Sequence, residues 1–216
     1  MTILSAQTIR ERIWRAQNGE NLPKFGGPTT YLQTRDRRLS IEPFAESKQA
    51  CGMSYGLTSA GYDIRLGSIQ HPRDPNKVFP NGIESWNLQP GEFLLAASYE
   101  RLSIPNDLQA IVHDKSTLAR QGIALQNTVL EPGWEGYITL ELSNHGPKAV
   151  RILVGQPIAQ VVFHMLDKPT DLPYRGKYQD QSAEPTPAKF VHEDDQRMID
   201  EASKDMDQYK YDGARR

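Results

Sequence analysis

Short apolar runs alternate at even intervals with turn residues between residues 92 and 166, and no other feature of the sequence limits the fold as strongly. The runs are rich in Val, Ile, Leu and Tyr, and Pro, Gly, Asn and Asp separate them. Strands at this spacing are typical of a compact barrel or jelly roll. We therefore predict a mainly β fold with strands at 92–99, 108–112, 123–129, 137–143, 149–154 and 158–166.

A short helix is predicted near the N-terminus. Ser5 can cap it, because a serine hydroxyl can accept a hydrogen bond from a free N–H group of the first turn. Gly19 can end it. Its apolar stripe is narrow and consists of Ile9, Ile13 and Trp14. We expect the helix to lie against a larger body.

The segments around the first predicted strand are expected to be loops. Residues 62–66 alternate between apolar and polar types, which indicates a strand. Residues 20–50 and 67–90 are rich in Gly, Pro and Asn, which favours loops. The charged run 35–38 is typical of a solvated loop.

The chain becomes polar after Leu166. Residues 174–181 combine aromatic, cationic and amide side chains around a glycine, and such a segment can close over a ligand as a flexible lid. A disordered tail is the alternative. We divide the chain into a domain at 1–187 and a charged extension at 188–216, with one exposed helix around 197–205.

Composition excludes several classes of function. Lys and Arg number 25 against 27 Asp and Glu, so no global positive field favours nucleic acid as a partner. The single cysteine, Cys51, cannot form an internal disulfide, which fits a reducing cytoplasm. No signal peptide and no run of about 18 apolar residues is present, so neither export nor a membrane partner is expected.

Several known site types are also excluded by motif. Zinc-dependent nucleoside deaminases need a Pro-Cys-x-x-Cys pair, which one cysteine cannot supply. The five histidines lack the spacing of metal ligands. Walker, Gly-x-Ser-x-Gly and Gly-x-Gly-x-x-Gly motifs are missing, so the sequence gives no support for a P-loop, a hydrolase triad or a dinucleotide fold.

Strand 137–143 carries a carboxylate on its less apolar face. Successive strand residues point to opposite faces, so Tyr137, Thr139, Glu141 and Ser143 share the face away from the main apolar side. Glu141 is a candidate for proton transfer. An ordinary solvent-facing glutamate is the alternative.

The turn that starts at Lys115 is a candidate anion site. Ser116 and Thr117 can cap a single helical turn, and Gly122 can end it. Free N–H groups at such a turn, with Lys115 beside them, can hold phosphate. Arg120 lies one turn later and can reach the same pocket or a carboxylate. A capped turn with exposed cations is the alternative.

Together these motifs resemble the dCTP deaminase family, which is grouped with the trimeric dUTPases. The strongest matches are Ser-Thr-Leu-Ala-Arg-Gln-Gly at 116–122, Glu-Pro-Gly-Trp-Glu-Gly at 131–136 and Ile-Thr-Leu-Glu at 138–141. Weaker matches lie at 3–5, 62–67, 90–93, 155–160, 177–181 and 185–187. The resemblance covers most of residues 3–187.

The resemblance implies a dUTPase-like distorted β-barrel or jelly roll that forms a homotrimer, with nucleotide sites shared between subunits. It implies zinc-free hydrolysis of dCTP to dUTP and ammonia, which supplies dUTP for dUMP and dTTP synthesis. Glu141, Arg120 and Ser116 match the catalytic positions. Mg²⁺ is expected on the nucleotide triphosphate and not on a protein site. The predicted substrate-binding residues are Lys115, Ser116, Thr117, Arg120, Glu131, Thr139, Tyr174, Lys177 and Gln181.

The chain departs from the family pattern in three places. The passage between Arg120 and Pro132 is about two residues shorter, Glu131 stands where the family has aspartate, and the extension after Lys189 has no counterpart. These departures leave a dUTP pyrophosphatase, a bifunctional enzyme or a deaminase of a modified dCTP as alternatives. A nucleotide-responsive regulatory protein, with 192–216 as its partner surface, is an alternative of another class.

Overall fold

The computed structural model describes residues 2–18, 39–71, 74–80 and 85–190. The helices are α1 (Ala6–Gln17) and α2 (Ser116–Ala119). The strands are β1 (Thr2–Ile3), β2 (Ser40–Glu42), β3 (Lys48–Ala50), β4 (Met53–Thr58), β5 (Gly61–His71), β6 (Asp74–Pro80), β7 (Ser85–Leu88), β8 (Phe93–Ser103), β9 (Leu108–Asp114), β10 (Ile123–Leu125), β11 (Val129–Leu130), β12 (Glu135–Asn144), β13 (Val150–Leu153) and β14 (Pro157–Met165).

A single curled sheet contains most of these strands, and β5 links its two halves. The main order is β10-β12-β8-β5-β14-β9-β11, while β7 pairs with β13 in a separate ribbon. β5 pairs with β14 through residues 62–65 and with β8 through residues 66–69. Register shifts occur in both pairings, and such irregularities bend a sheet. The predicted mainly β, barrel-like fold is confirmed.

The core lies on the inner face of this curled sheet. Apolar side chains there are withdrawn from water, and this burial is the main favourable term in folding. The largest fully buried side chains are Tyr62, Phe163, Leu4, Ile9, Leu39, Ile41, Ile64, Leu66, Ile69, Leu88, Leu94 and Leu102.

Helix α1 begins as the sequence predicts. The backbone N–H of Thr8 donates to the Ser5 hydroxyl oxygen at 3.4 Å, so Ser5 is the N-cap. The helix continues to Gln17, and the predicted stop at Gly19 lies outside the described residues.

The buried face of α1 differs from the prediction. Ile9 and Ile13 are buried as expected, but the prediction for Trp14 is wrong because its side chain is half exposed. Arg12 is buried instead and donates two hydrogen bonds of 3.0 Å to the Asp107 carboxylate. Positions 9, 12 and 13 follow helical spacing, so this ion pair extends the inner face of the helix.

Three loop or strand predictions are corrected by pairing between distant segments. The predicted strand 123–129 is two strands, because β10 pairs with β12 and β11 pairs with β9. The predicted loop 67–90 contains the end of β5 and all of β6 and β7. The predicted loop 20–50 contains β2 and β3. The predicted features at 35–38 and 197–205 lie outside the described residues.

The chain divides into two compact units, Met1–Thr186 and Pro187–Arg216. Of the second unit, residues 187–190 are described. The predicted boundary between residues 187 and 188 stays a prediction. Across the described residues, no helix is long and apolar enough to cross a membrane.

Candidate active site

Strand β12 presents Glu141 on its outer face. Burial alternates along the whole strand, and Ile138, Leu140 and Leu142 point into the core. Glu141 is only partly buried and lies on the opposite face, as predicted. Alternation therefore keeps the carboxylate out of the core and in a position that a ligand can approach.

Apolar side chains flank Glu141 on the neighbouring strands. Leu95 of β8 is its direct cross-strand partner, and Phe93 follows two residues away on the same face. On the other side, Ala124 of β10 pairs with Ser143. Burial among these residues raises the pKa of the Glu141 carboxyl, and a hydrogen bond from its own backbone opposes the rise. Such a carboxyl can exchange protons nearer neutral pH than an exposed glutamate.

Helix α2 has a different cap from the one predicted. Lys115 is the N-cap, with an extended backbone, and Ser116 is the first helical residue, so the prediction of Ser116 as the cap is wrong. The Lys115 ammonium donates to a carboxylate oxygen of Asp63 at 2.6 Å, and both residues are buried. Lys115 therefore anchors the turn to β5, whereas the sequence suggested an ammonium open to phosphate.

The polar side chains of α2 are available at the surface. Ser116, Thr117 and Arg120 are all exposed. The turn ends at Gly122, whose φ of 89° is in the region that favours glycine. Among the contacts of the described residues, none joins Ser116 or Arg120 to Glu141. One chain alone does not bring the three predicted catalytic residues into contact.

The tail is the segment after β14, residues 166–186. Its residues Tyr178 and Gln179 are bound to the turn before β12. The indole N–H of Trp134 donates to the Tyr178 carbonyl at 2.8 Å. The Gln179 side chain accepts from the Glu135 N–H at 3.3 Å and donates to the Gly133 carbonyl at 3.0 Å. Trp134 and Gln179 were not among the predicted site residues, although both lie in motifs that carry the family resemblance.

The next part of the tail runs beside β12 towards Glu141. Gly136 and Gln181 form a parallel bridge, and the Tyr137 N–H donates to the Gln181 carbonyl at 3.0 Å. The Thr139 hydroxyl donates to the Gln181 side-chain oxygen at 2.9 Å. Predicted residues Thr139, Glu141 and Gln181 are therefore close together along one strand face.

Two glycines allow this close approach. A Cβ atom at Gly136 would lie 2.7 Å from the Gln181 nitrogen, and one at Gly133 would lie 2.6 Å from the Pro173 Cβ. Both residues have positive φ, at 143° and 85° respectively. The Pro-Gly-Trp-x-Gly motif is therefore the docking surface of the tail as well as a turn.

The other predicted tail residues have internal contacts. The Tyr174 N–H donates to the Pro132 carbonyl at 2.8 Å, and its hydroxyl accepts from the Tyr178 N–H at 3.2 Å. The Lys177 ammonium is exposed and lies 5.2 Å from the centre of the Tyr178 ring. Tyr174 therefore shapes the tail, and Lys177 keeps its charge at the surface.

Glu131 lies before the Pro-Gly turn and is exposed. Its carboxylate accepts a long hydrogen bond of 3.4 Å from the Gln109 amide. The carboxylate is therefore open to solvent and to ligands.

Long-range ion pairs hold the strands around this face, and the sequence gives no signal for them. Arg101 of β8 donates to Asp180 at 2.9 Å and to Glu135 at 3.2 Å. Arg65 of β5 donates to the fully buried Glu100 at 2.7 Å. Burial raises the pKa of Glu100 although the Arg65 backbone and side chain oppose this. These contacts join residues 34 to 79 positions apart, which local patterns cannot reveal.

A separate cleft of about 650 Å³ lies between α1, β2, the end of β8 and the tail. Its lining includes Ile13, Ser103 and Tyr174 but neither Glu141, Ser116 nor Arg120. Within the described part of the chain, no three His, Cys, Asp or Glu side chains are grouped so that they could hold a metal ion.

Sequence comparison identifies the family. The family model described as dCTP deaminase-like matches residues 28–166. The chain belongs to this family. The matched region contains α2, the Pro-Gly-Trp-x-Gly turn and all of β12, but not the tail that docks there.

Curated relatives of this dCTP deaminase-like chain are named dCTP deaminase. The dCTP deaminase of Campylobacter lari is 40% identical over 159 residues, which cover 66% of this chain and 86% of the relative. Those of Chloroflexus aurantiacus and Acidobacterium capsulatum are 38% and 37% identical over 159 and 158 residues. These alignments cover 66% and 65% of this chain and 86% of each relative.

Solved structures of dUTPases are more distant. The EIAV dUTPase is 16% identical, with a TM-score of 0.43 over 64% of this chain and 98% of the other. A mutant dUTPase from phage phi11 of S. aureus is 15% identical, with a TM-score of 0.42 over 64% of this chain and 97% of the other.

Proposed function

We propose that the chain catalyses the hydrolytic deamination of dCTP to dUTP and ammonia, without zinc. The observation that carries the proposal is Glu141, a partly buried carboxylate on an open strand face with a raised pKa. The curated relatives named dCTP deaminase support the substrate and the reaction. The dUTP formed would supply dUMP and dTTP synthesis.

One carboxylate can perform both proton transfers of this reaction. Ionised Glu141 takes a proton from water as the water oxygen bonds to C4 of cytosine, and it passes that proton to N3. It then takes the remaining hydroxyl proton and delivers it to the amino group, which leaves as ammonia. The product has a carbonyl at C4 and a proton at N3, so water and ammonia balance. A pKa raised by burial suits a group that acts as base and then as acid.

Ser116 and Arg120 would complete the site from another subunit. The attack on C4 places negative charge near the reacting carbon, and a hydroxyl and a guanidinium can stabilise it. Both side chains are exposed, and neither contacts Glu141 among the described residues of the chain. This arrangement supports a homotrimer whose sites lie between subunits.

The remaining predicted residues would hold the nucleotide. Thr117 lies on the same exposed turn as Ser116, and Lys177 carries its charge on the tail. These groups suit a triphosphate, with Mg²⁺ bound through the phosphate oxygens. Lys115 would act indirectly, because it fixes the turn through its ion pair with Asp63. The tail would close the site against water.

A second reaction has one supporting observation. Glu131 is exposed at the position where dUTPases are expected to have a water-activating aspartate. Hydrolysis of dUTP to dUMP and pyrophosphate is therefore the alternative, either alone or after deamination.

The decisive experiment incubates the purified chain with dCTP or dUTP and Mg²⁺ and separates the products by anion exchange. The proposal expects dUTP and ammonia from dCTP, with no pyrophosphate. The rate should persist after treatment with a strong zinc chelator. Pyrophosphate from either nucleotide would favour hydrolysis, and an unchanged dCTP pool would refute the proposed substrate.

The cellular location belongs to the same proposal. Cys51 is a free and exposed thiol, which agrees with a reducing compartment such as the cytoplasm.

A further inference from the structure

The Thr139 hydroxyl makes two hydrogen bonds, and both go to the tail. It donates to the Gln181 side-chain oxygen at 2.9 Å and accepts from the Thr186 N–H at 3.0 Å. A hydroxyl has only one proton, so the donor of Thr139 is used by the tail in this conformation. Thr139 is predicted to contact the nucleotide, and in this structure its hydroxyl bonds the tail.

These bonds fasten both ends of one tail segment. Between Gln181 and Thr186, the Ala183 carbonyl accepts a hydrogen bond of 2.6 Å from the Ser68 hydroxyl. Ser68 and Thr139 lie in one cross-strand row, because each pairs with Ala97 of β8. The segment therefore reaches from β12 across β8 to β5 and returns to β12, over a small alanine side chain.

Glu141 lies in the next row of the same face. It follows Thr139 by two strand residues, a rise of roughly 7 Å, and its cross-strand partner is Leu95. The position of the segment fixed by Thr139 therefore determines how closely the tail can cover the carboxylate.

We propose that Thr139 is a positioning residue that latches tail residues 181–186 across the strands beside Glu141. Its hydroxyl sets the closed position of the tail, which retains the nucleotide and the reacting water and excludes bulk solvent. The catalytic half of this inference rests on the proposed deaminase function, whereas the latch itself depends only on the tail.

The test compares Thr139→Val, which keeps the side-chain shape without the hydroxyl, with Thr139→Ser, which restores the hydroxyl. Hydrogen exchange of the Thr186 amide in the full chain reports the latch directly, because that N–H donates to the Thr139 oxygen. We expect exchange about 5- to 30-fold faster in the valine variant, as for the loss of one or two hydrogen bonds. Thr139→Ser should exchange close to wild type.

Ser143→Ala is the matched control for exchange. Ser143 lies on the same face of β12, beyond Glu141, and its hydroxyl has no bond to the tail among the described residues. The control should leave Thr186 protection unchanged. Equal protection of Thr186 in wild type and Thr139→Val would refute the latch.

Kinetics then test its effect on the reaction. Thr139→Val should raise KM for dCTP about 5- to 30-fold and change kcat much less, and Thr139→Ser should largely restore KM. Faster exchange with unchanged kinetics would overturn the catalytic half. Failure of the wild-type chain to convert dCTP would instead refute the proposed function, and the exchange result would still decide the latch.

Discussion

At the scale of single residues, the proposed chemistry would depend on the balance between exposure and burial at Glu141. A fully exposed glutamate would be ionised at neutral pH and a poor acid, and a fully buried one would be unreachable. β12 avoids both extremes, because its alternation sends the residue outward while Leu95 of the next strand partly covers it. The role of Glu141 can therefore be tested separately from its environment.

Replacing Glu141 with glutamine should remove activity and leave the fold intact. The amide cannot accept the proton from water, so the rate should fall by at least about 100-fold. Nucleotide affinity, measured by calorimetry, should stay within a few-fold of wild type. The melting temperature at neutral pH should be equal or higher, because burial disfavours the ionised carboxyl in the folded state. Retained turnover would refute the assigned role.

Leu95→Asn should move the pH dependence of the reaction to lower pH. Glu141 must be ionised to act as a base, so kcat/KM should fall as pH drops through a pKa above the ordinary value of about 4.3. A polar neighbour reduces the burial penalty and lowers that pKa. Phe93 and Ala124, which pair with Ser143, and Gln181, which bonds Thr139, carry no titratable group.

The pH–rate profiles of wild type and Leu95→Asn provide the measurement. Phe93→Leu is the control, because it keeps the wall apolar and should leave the acid limb in place. An acid limb that does not move in Leu95→Asn would show that burial by this wall does not set the pKa.

At the scale of elements, specific hydrogen bonds attach the tail to the domain, rather than nonspecific apolar contact. Trp134 and Gln179 hold its start, and Thr139 and Ser68 hold its end. Each contact uses a group on or beside β12 or β5, so the tail belongs to the structure of the site.

Truncation after Leu166 should raise KM for dCTP on the order of 10-fold or more, or stop turnover, because the closing segment is lost. Truncation after Pro187 is the matched control and removes only the charged extension. It should leave steady-state kinetics within about two-fold of wild type. A large effect of the shorter deletion would mean that the extension contributes to catalysis.

Local sequence patterns predicted the elements that have one apolar and one polar face. They failed for segments that become strands only by pairing with strands distant in sequence. Alternation located β12 and its outward Glu141, and the serine cap located the start of α1. Residues 74–80 lie within 67–90, which was predicted as a loop because it is rich in Pro, Asn and Gly. In the structure β6 pairs only with β5 among the described strands, and an edge strand tolerates proline.

The ion pairs of the site were beyond such reasoning. The sequence predicted Lys115 as a cation beside a phosphate site, but the fold places it against Asp63, 52 positions earlier. The resemblance to a family supplied the catalytic assignments, and geometry supplied the tail contacts that join Thr139 to Gln181. Sequence thus predicted the residue types of the site better than their partners.

At the scale of the whole molecule, the separation of the three proposed catalytic groups within one chain argues for an assembly. Glu141 lies on an open strand face, whereas Ser116 and Arg120 lie on an exposed turn, and no described contact joins them within the chain. A second copy that places its α2 turn against β12 would bring a cation to an uncompensated carboxylate. Closed symmetry would repeat this site at every interface.

Mixed assemblies provide the last test. Glu141→Gln and Arg120→Ala should each be inactive alone. If the proposed trimer forms, co-expression of both variants should give mixed assemblies that recover activity. In a random trimer with shared sites, about a quarter of the interfaces combine an intact Glu141 from one subunit with an intact Arg120 from the next. Specific activity should therefore return to about a quarter of wild type, measured as dUTP formed from dCTP.

The same co-expression distinguishes sites shared between subunits from sites formed within one chain. If each site used residues of one chain, every site would carry a defect and the mixture would stay inactive. The control co-expresses Glu141→Gln with two different tags and purifies the assemblies through both tags. These assemblies form in the same way but contain no intact Glu141. Recovery only in the mixed assembly would assign Arg120 and Glu141 to different subunits, because only there can an intact Glu141 of one subunit meet an intact Arg120 of another.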